Sequence, residues 1–352
     1  MTKIFMIDFK DIELLRKLDP RDTMGSTELL QKQCQTAWEQ VNALSVPQEY
    51  RDINKIVFCG MGASVYGALV LKALMGPQMP IPSEVVSDYF LPDYVDDKTL
   101  VVLTSYSGTT EEVLACAEDA KSKGAKMLVL TKGGPLAEFA RENKVPSYIF
   151  DGELNPAGVP RLGNGYSILG LIGLLNKIGI FGIEEKEVSN AIERLKEKSE
   201  DIKAQAQVDY QQLVNKIPIV FAAEHLSGNA QILRNQFNET SKAFSAFFLV
   251  PDLNHHLMEG LQFPEGAPLH FIILNTPNYS AKIKKRMDLT AEVVKQNNHS
   301  VYEFESSGQT VYDDFLETLQ YGCYLSLYLG LEYKQNPAVN PYVDYFKKKL
   351  AE

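Results

Sequence analysis

The sequence predicts an α/β fold of two units, each a parallel sheet flanked by helices in a three-layer αβα sandwich. Three observations predict it. Short apolar runs alternate with helical periodicity through both halves of the chain. A stretch rich in Gly and Pro with neither period, Asp151 to Asn164, divides those halves. The 352 residues, 45% of them hydrophobic, can supply two ordinary cores. Strands alternating with helices require a parallel sheet covered on both faces.

In chain order, a polar lead precedes a helix over Glu28 to Leu44, which stops before Pro47. The first unit then reads as strand Ile53 to Cys59, helix Ala63 to Leu74, strand Glu84 to Ser87 and strand Thr99 to Ser105. Helix Thr109 to Lys123, strand Lys126 to Leu130, helix Pro135 to Asn143 and strand Ser147 to Phe150 complete it. Beyond the connection come an apolar helix, Tyr166 to Ile178, and a long charged helix, Lys186 to Gln207. Strand Ile217 to Ala223 leads to helix Ser227 to Glu239, then strands Ser245 to Val250 and Leu269 to Leu274. Helix Ala281 to Gln296, strand Ser300 to Phe304, helix Thr310 to Leu331 and helix Pro341 to Leu350 end the chain. The expected boundaries are 1–45 for the lead and first helix, 46–152 and 153–335 for the two units, and 336–352 for the C-terminal helix.

The second half repeats the plan of the first. Ile56 to Leu71 (IVFCGMGASVYGALVL) and Val220 to Leu233 (VFAAEHLSGNAQIL) share a strand, turn and helix order, but only the first copy keeps a tight glycine pair. The formal charge of −10 argues against nucleic acid as a partner. Cys34, Cys59, Cys116 and Cys323 are widely spaced with no CxxC pair, which suits a reducing compartment. The N-terminus alternates apolar and charged residues from Ile4 to Phe9 and into Lys10, Asp11 and Glu13, unlike a secretory signal, and no apolar run reaches roughly 18 residues. A cytoplasmic location without a membrane span is expected.

Two loops are candidates for holding an anion. Gly60-Met61-Gly62-Ala63-Ser64 lies where the first strand meets its helix, where glycine permits close backbone approach and free N–H groups favour negative charge. The same pattern also fits a plain strand-to-helix turn. Ser105-Tyr106-Ser107-Gly108-Thr109-Thr110-Glu111-Glu112 clusters four Ser and Thr hydroxyls around a glycine at the C-terminal end of an apolar strand, the usual ligand position in open α/β sheets. Thr109 and Glu112 fit a capping box that needs no ligand, but Ser105, Ser107 and Thr110 are left unexplained by it.

With GMGAS, SYSGTTEE, PRLGNGY and NETSK…LNHH in this order, the chain resembles the SIS (sugar isomerase) domain proteins, and over nearly its whole length the bifunctional phosphoglucose/phosphomannose isomerases. The resemblance implies two SIS-type domains. It also implies a hexose phosphate substrate whose phosphate meets Gly62, Ser64, Ser105, Ser107 and Thr110. The family usually has Gly where this chain has Ala63, which implies a less close backbone approach there.

Moving a carbonyl between C1 and C2 of such a sugar needs a proton-carrying base, stabilisation of enediolate oxygens and ring opening, but no metal or redox cofactor. Glu239 alone fits a solvated surface glutamate; the resemblance makes it the base of the NExxK motif. Arg161, aimed by Pro160, fits a free surface arginine by default, and the resemblance makes it the stabiliser of enediolate charge. His255 and His256 lack the spacing of a zinc site. By resemblance His255 assists ring opening from the neighbouring subunit, which implies a homodimer. His225, His270 and His299 are expected to be structural or surface residues.

At the C-terminus relatives carry a threonine, linked to acceptance of the mannose epimer, and a lysine for ring opening. Here Ala338 and Tyr345 stand at those positions, with Lys347 and Lys348 near enough to substitute if the helix register differs. Two other readings stay open: a non-catalytic sugar-phosphate-binding protein, and an isomerase of another phosphosugar.

Overall fold

The computed structural model describes residues 7–350 and residue 352, so the N-terminal alternation before Ile7 lies outside the described residues. The expected lead contains two short helices, α1 (Ile12–Leu18) and α2 (Thr23–Glu28), each opened by an aspartate, Asp11 or Asp22, whose carboxylate accepts a backbone N–H of the first turn. The helix expected from Glu28 begins at Leu30, forming α3 (Leu30–Asn42).

The first sheet is formed by β1 (Lys55–Cys59), β2 (Ser83–Val86), β3 (Thr99–Ser105), β4 (Lys126–Thr131) and β5 (Ser147–Ile149), all parallel, in the order β2-β1-β3-β4-β5. Its helices are α4 (Tyr66–Met75), α5 (Glu111–Ser122) and α6 (Gly134–Glu142), followed by α7 (Asn164–Asn176) and α8 (Glu185–Asp209). Residues on the two faces of the central strands are buried in different cores. Val57, Cys59, Val101, Leu103 and Val129 pack with α5 and α6, whereas Ile56, Phe58, Leu100, Val102 and Leu128 pack with α3, α4 and α7. Burial on both faces is why these strands are continuous apolar runs instead of alternating ones.

The second sheet contains β6 (Ile217–Ala222), β7 (Ala246–Leu249), β8 (Leu269–Asn275) and β9 (Ser300–Glu305) in the order β7-β6-β8-β9, again parallel. The first four strands of each half therefore occupy the same relative places, and the duplication expected from strand, turn and helix order extends to topology. Helices α9 (Ser227–Gln236), α10 (Ala281–Gln296) and α11 (Val311–Glu332) accompany this sheet, and α12 (Pro341–Leu350) ends the chain with no buried side chain.

The halves share one apolar core, which runs from the inner face of the first sheet into the second sheet. Helix α4 lies at the join, packed on α7 and α9. The approach is close. A Cβ on Gly67 would stand 2.7 Å from the Ser167 carbonyl oxygen, and one on Gly228 would stand 2.9 Å from that of Leu69.

At the C-terminal ends of the second sheet's strands, where a ligand would be expected in an open α/β fold, Asp314 of α11 is fully buried. Its carboxylate accepts from Thr276 Oγ1 at 2.7 Å, Asn278 Nδ2 at 2.9 Å and Ser306 Oγ at 2.9 Å, and lies 2.8 Å from His225 Nε2. Burial pushes this carboxyl up, but these hydrogen bonds outweigh burial and hold it below the usual carboxylate value. His225 is thus structural, as expected, and a side chain of the protein itself supplies the negative charge at this crevice. Asp314→Ala leaves these donors without their acceptor, and we expect a loss of about 3 kcal/mol, within the range for breaking a buried charged network, read by denaturant unfolding.

Candidate active site

Both glycine-containing loops lie at the C-terminal ends of neighbouring strands, β1 and β3. After β1, Gly62 has φ +54, with open space where its Cβ would stand, and the helix begins with a tight 3₁₀ turn, Gly62–Val65, before α4. After β3, Gly108 at φ +73 is held so close to the next loop that a Cβ would lie 1.8 Å from the Gly133 carbonyl oxygen. Ser64 Oγ accepts the Tyr106 N–H at 3.1 Å and so ties the two loops together.

The hydroxyls of the second loop divide into inner and outer. Ser105 is 1% exposed; its Oγ accepts the Gly108 N–H at 3.1 Å and shares a 2.7 Å hydrogen bond with Thr110 Oγ1. Ser107 is exposed and bonds Thr109 Oγ1 at 2.8 Å. The expected capping box is absent: α5 begins at Glu111, its N-cap is Thr110, and no side chain caps it. Thr109 turns instead to Ser107, because Gly108 bends the chain before the helix starts. The amides of that first turn are left without a side-chain cap.

Tyr106 carries the loop to the connection between the halves. Its hydroxyl accepts from Asn155 Nδ2 at 2.8 Å, and its ring lies against Gly163, where a Cβ would come within 2.3 Å. The connection is therefore packed, and its turn Pro160–Leu162 lies against the turn Gly62–Val65 of the first loop. Arg161, in that turn, is 1% exposed. Its Nε donates to Thr240 Oγ1 at 3.0 Å, Nη1 to Glu239 Oε2 at 3.4 Å, and Nη2 to the Glu239 carbonyl at 3.4 Å and to the Pro337 carbonyl. Burial pulls the guanidinium below its ordinary value, while the charge of Glu239 opposes that shift.

Glu239 reaches this position through a change of helix type. The helix expected to run to Glu239 is α-helical only to Gln236, and Phe237–Ser241 forms a π turn that closes on Lys242 in the left-handed region at φ +58. Helix α11 clamps the turn: Ser241 Oγ donates to the Ser326 carbonyl at 2.5 Å, and Gly330 allows the Thr240 carbonyl to within 2.7 Å of where a Cβ would stand. A π turn re-aims one side chain relative to the helix before it, a geometry frequent at functional sites. The glutamate side chain keeps 32% exposure, between solvent and the buried arginine.

The structure thus brings together the two loops, Arg161 and Glu239. His255 does not join them within one chain: it is exposed in the short turn Asp252–His255 after β7, and among the described residues the only side-chain hydrogen bond of the two histidines is that of His256 with Asp252, at 3.3 Å. Among the C-terminal positions, Ala338 is buried with Ala157, Val159 and Leu162, and Tyr345, Lys347 and Lys348 are exposed on α12. His270 is buried, with Nδ1 2.9 Å from Ser300 Oγ, and His299 lies 2.8 Å from the Leu261 carbonyl.

Sequence reasoning missed Thr240, Lys242, Tyr66 and Asn340. Tyr66, at the start of α4, is fully buried; burial first, and then the charge of Glu239, push its hydroxyl up. Asn340 Nδ2 donates to Glu239 Oε2 at 3.2 Å. Thr240 and Lys242 had a signal, their place in NETSK; for Lys242 it is the motif's own lysine. Its ammonium donates to the Glu239 carbonyl, and burial, followed by the neighbouring Arg161 charge, brings it down to about 8.

Residues 49–147 match the family described as the SIS domain, and residues 202–350 match the bacterial phospho-glucose isomerase C-terminal SIS domain. The fold and paired loops are those of a double SIS-domain protein. A bifunctional phosphoglucose/phosphomannose isomerase of Caldicellulosiruptor bescii is 34% identical over 337 residues, covering 92% of this chain and 97% of its own length. Its counterpart in Aquifex aeolicus is 28% identical, covering 86% of this chain and 94% of its own. The chain belongs to the bifunctional phosphoglucose/phosphomannose isomerase family. A hypothetical protein from Thermus thermophilus shares the fold, with a TM-score of 0.70, 19% identity, and coverage of 97% of this chain and 93% of that one.

Lys242 yields a stability prediction whose sign follows from its environment. The folded state disfavours its charge, so the cost is full below about pH 8 and fades as pH rises towards the ordinary lysine value of 10.5. Lys242→Met should therefore raise the melting temperature at pH 7, on the order of 2 °C, with the gain shrinking above pH 8. Thermal melts of both proteins across that range measure it.

Proposed function

We propose that the chain interconverts glucose 6-phosphate and fructose 6-phosphate, and accepts mannose 6-phosphate as the epimeric aldose. The observation that carries this reading is the Arg161–Glu239 pair, 3.4 Å apart, with the arginine's turn packed against the turn Gly62–Val65. Ser64, Ser107, Thr110 and the N–H groups near Gly62 hold the phosphate, and Ser105 braces the loop that presents them. This places a dianion at helix starts and hydroxyls with no cation required in contact with it. The chain's net charge of −10 is no obstacle, since the attraction is local.

Glu239 removes the C2 proton of the open-chain aldose. The C2–H electron pair becomes the C1–C2 double bond, and the carbonyl pair moves onto O1. A proton passes from O2 to O1, the double-bond pair takes the proton back from Glu239 at C1, and the carbonyl forms at C2. Atoms and electrons balance without a redox partner. Among the described residues Arg161 Nη1 bonds only Glu239, which leaves it an N–H for the enediolate oxygens. Thr240 and the Pro337 carbonyl occupy the rest of its fork and fix its direction. The apolar packing of Ala338 offers no hydroxyl at the position linked to the mannose epimer, which favours glucose 6-phosphate as the better aldose.

By the resemblance of its motif, ring opening is assigned to His255 of a second copy in a homodimer; within one chain the imidazole is exposed and, among the described residues, has no hydrogen bond to Arg161 or Glu239. The protein acts on a small anionic sugar in aqueous solution, and no described helix is long and apolar enough to cross a membrane.

Glu239→Gln is expected to lower turnover of glucose 6-phosphate by about 10²- to 10⁴-fold while leaving binding of a hexose phosphate measurable by calorimetry. Undiminished turnover would remove Glu239 from the reaction, and tight binding with no solvent exchange at C2 in the wild type would mark a sensor instead. The shared site makes its own prediction. Glu239→Gln and His255→Ala chains, each inactive alone, should recover up to half the wild-type activity per mixed dimer when mixed and reassociated, because one of the two sites is then intact. Light scattering that shows a strict monomer would eliminate the shared site.

A further inference from the structure

After α11 the chain does not leave the molecule; it returns across the site. Pro337 is buried and its carbonyl accepts from Arg161 Nη2. Ala338 enters the apolar cluster of Ala157, Val159 and Leu162, and its N–H donates to Asn336 Oδ1 at 2.9 Å, which folds the strap on itself. Two residues later, half-buried Asn340 donates from Nδ2 to Glu239 Oε2 at 3.2 Å. Only then does Pro341 begin the exposed α12. The strap is anchored at its middle by the arginine's partner carbonyl and by apolar packing, so Asn340 is not a mobile end that happens to touch a glutamate.

The contact is chemically asymmetric. A carboxylate only accepts, so the amide must present its NH₂ to Glu239, which settles its orientation. Both Arg161 Nη1, at 3.4 Å, and Asn340 Nδ2 converge on the same oxygen, Oε2. Oε1 has no hydrogen-bond partner among the described residues, and the side chain keeps 32% exposure. A carboxylate held through one oxygen in this way cannot rotate freely about its terminal torsion, and the other oxygen is left for a substrate proton.

We infer that Asn340 is a positioning residue for the proposed isomerisation: it locks Glu239 through Oε2 so that Oε1 faces the C–H bond that is broken. This rests on the reading of Glu239 as the base. The amide acts only through that carboxylate, in a strap where relatives place a threonine and this chain has Ala338.

The test compares Asn340→Ala, Asn340→Gln and the isosteric Asn340→Asp in the wild-type and Glu239→Gln backgrounds, with glucose 6-phosphate deuterated at C2. In the wild-type background Asn340→Ala should lower kcat about tenfold, the scale of one hydrogen bond to a charged group, with KM changed less than about twofold. The fraction of deuterium carried to C1 should fall, because a loosened carboxylate exchanges its proton with water before returning it. Asn340→Gln should recover part of kcat, and Asn340→Asp, which keeps the shape but sets a second carboxylate against Oε2, should be worse than alanine. In the Glu239→Gln background Asn340→Ala should cost nothing further. Unchanged kcat in Asn340→Ala, a loss appearing only in KM, or a full additional loss in the Glu239→Gln background would each overturn the inference. Undiminished turnover in Glu239→Gln alone would instead overturn the reading of Glu239 as base, so the two failures are distinguishable.

Discussion

The site depends on a buried guanidinium. Arg161 is almost without contact with solvent, and an unpaired charge in that position would be costly. Its partners come from two distant parts of the chain: Glu239 and Thr240 at the end of a second-half helix, and Pro337 after α11. Satisfying one arginine therefore binds the interdomain connection, the π turn and the C-terminal strap into a single arrangement. The same side chain, once paired, carries the positive charge that the proposed enediolate chemistry would use. Stability and proposed catalysis draw on one group, and the penalty of burying Lys242 nearby is consistent with a site that concentrates charge where packing alone would not.

The two halves show how a repeated plan is used differently. Both sheets place strands in the same relative order, and both present polar groups beyond the C-terminal strand ends. In the first half those groups are hydroxyls, amides and a glycine at positive φ, with outward-facing Ser107 and open space at Gly62. In the second half the corresponding crevice receives Asp314 from α11 with its donors Thr276, Asn278 and Ser306 and the nearby ring of His225. A carboxylate supplied internally provides the anion that a ligand would otherwise bring. The second half then contributes to the site through its helix end, at Glu239, and not through its strand ends.

Much of the fold was legible because it follows from periodicity. The unbroken apolar runs of β1, β3 and β4 reflect burial on both faces, and α10 and α12 have the bounds expected from their patterns. The errors lie where local signals compete. Thr109 and Glu112 have the spacing of a capping box, but Gly108 redirects the chain and moves the helix start to Glu111. Ser227 to Glu239 looks like one helix because a π turn has no distinct periodicity over five residues. The polar lead concealed two aspartate-capped helices too short to show a periodic face.

What the sequence by itself determined is the α/β class and the parallel sheets; it also marked two strand-end loops as candidates for a phosphate and, by resemblance, Glu239 and Arg161 as the reaction groups we propose. These are local or motif-borne properties, set by residue order over a few turns. Only the tertiary structure decided that Arg161 is buried, that Ser105 braces its loop while Ser107 faces out, that Asp314 fills the second crevice, and that Asn340 lies on Glu239. Each of these joins residues far apart in the chain, as with Asn340 and Glu239, separated by 101 positions. No periodicity encodes such a meeting, because it follows from the packing of a whole core and from the requirement that buried polar groups find partners.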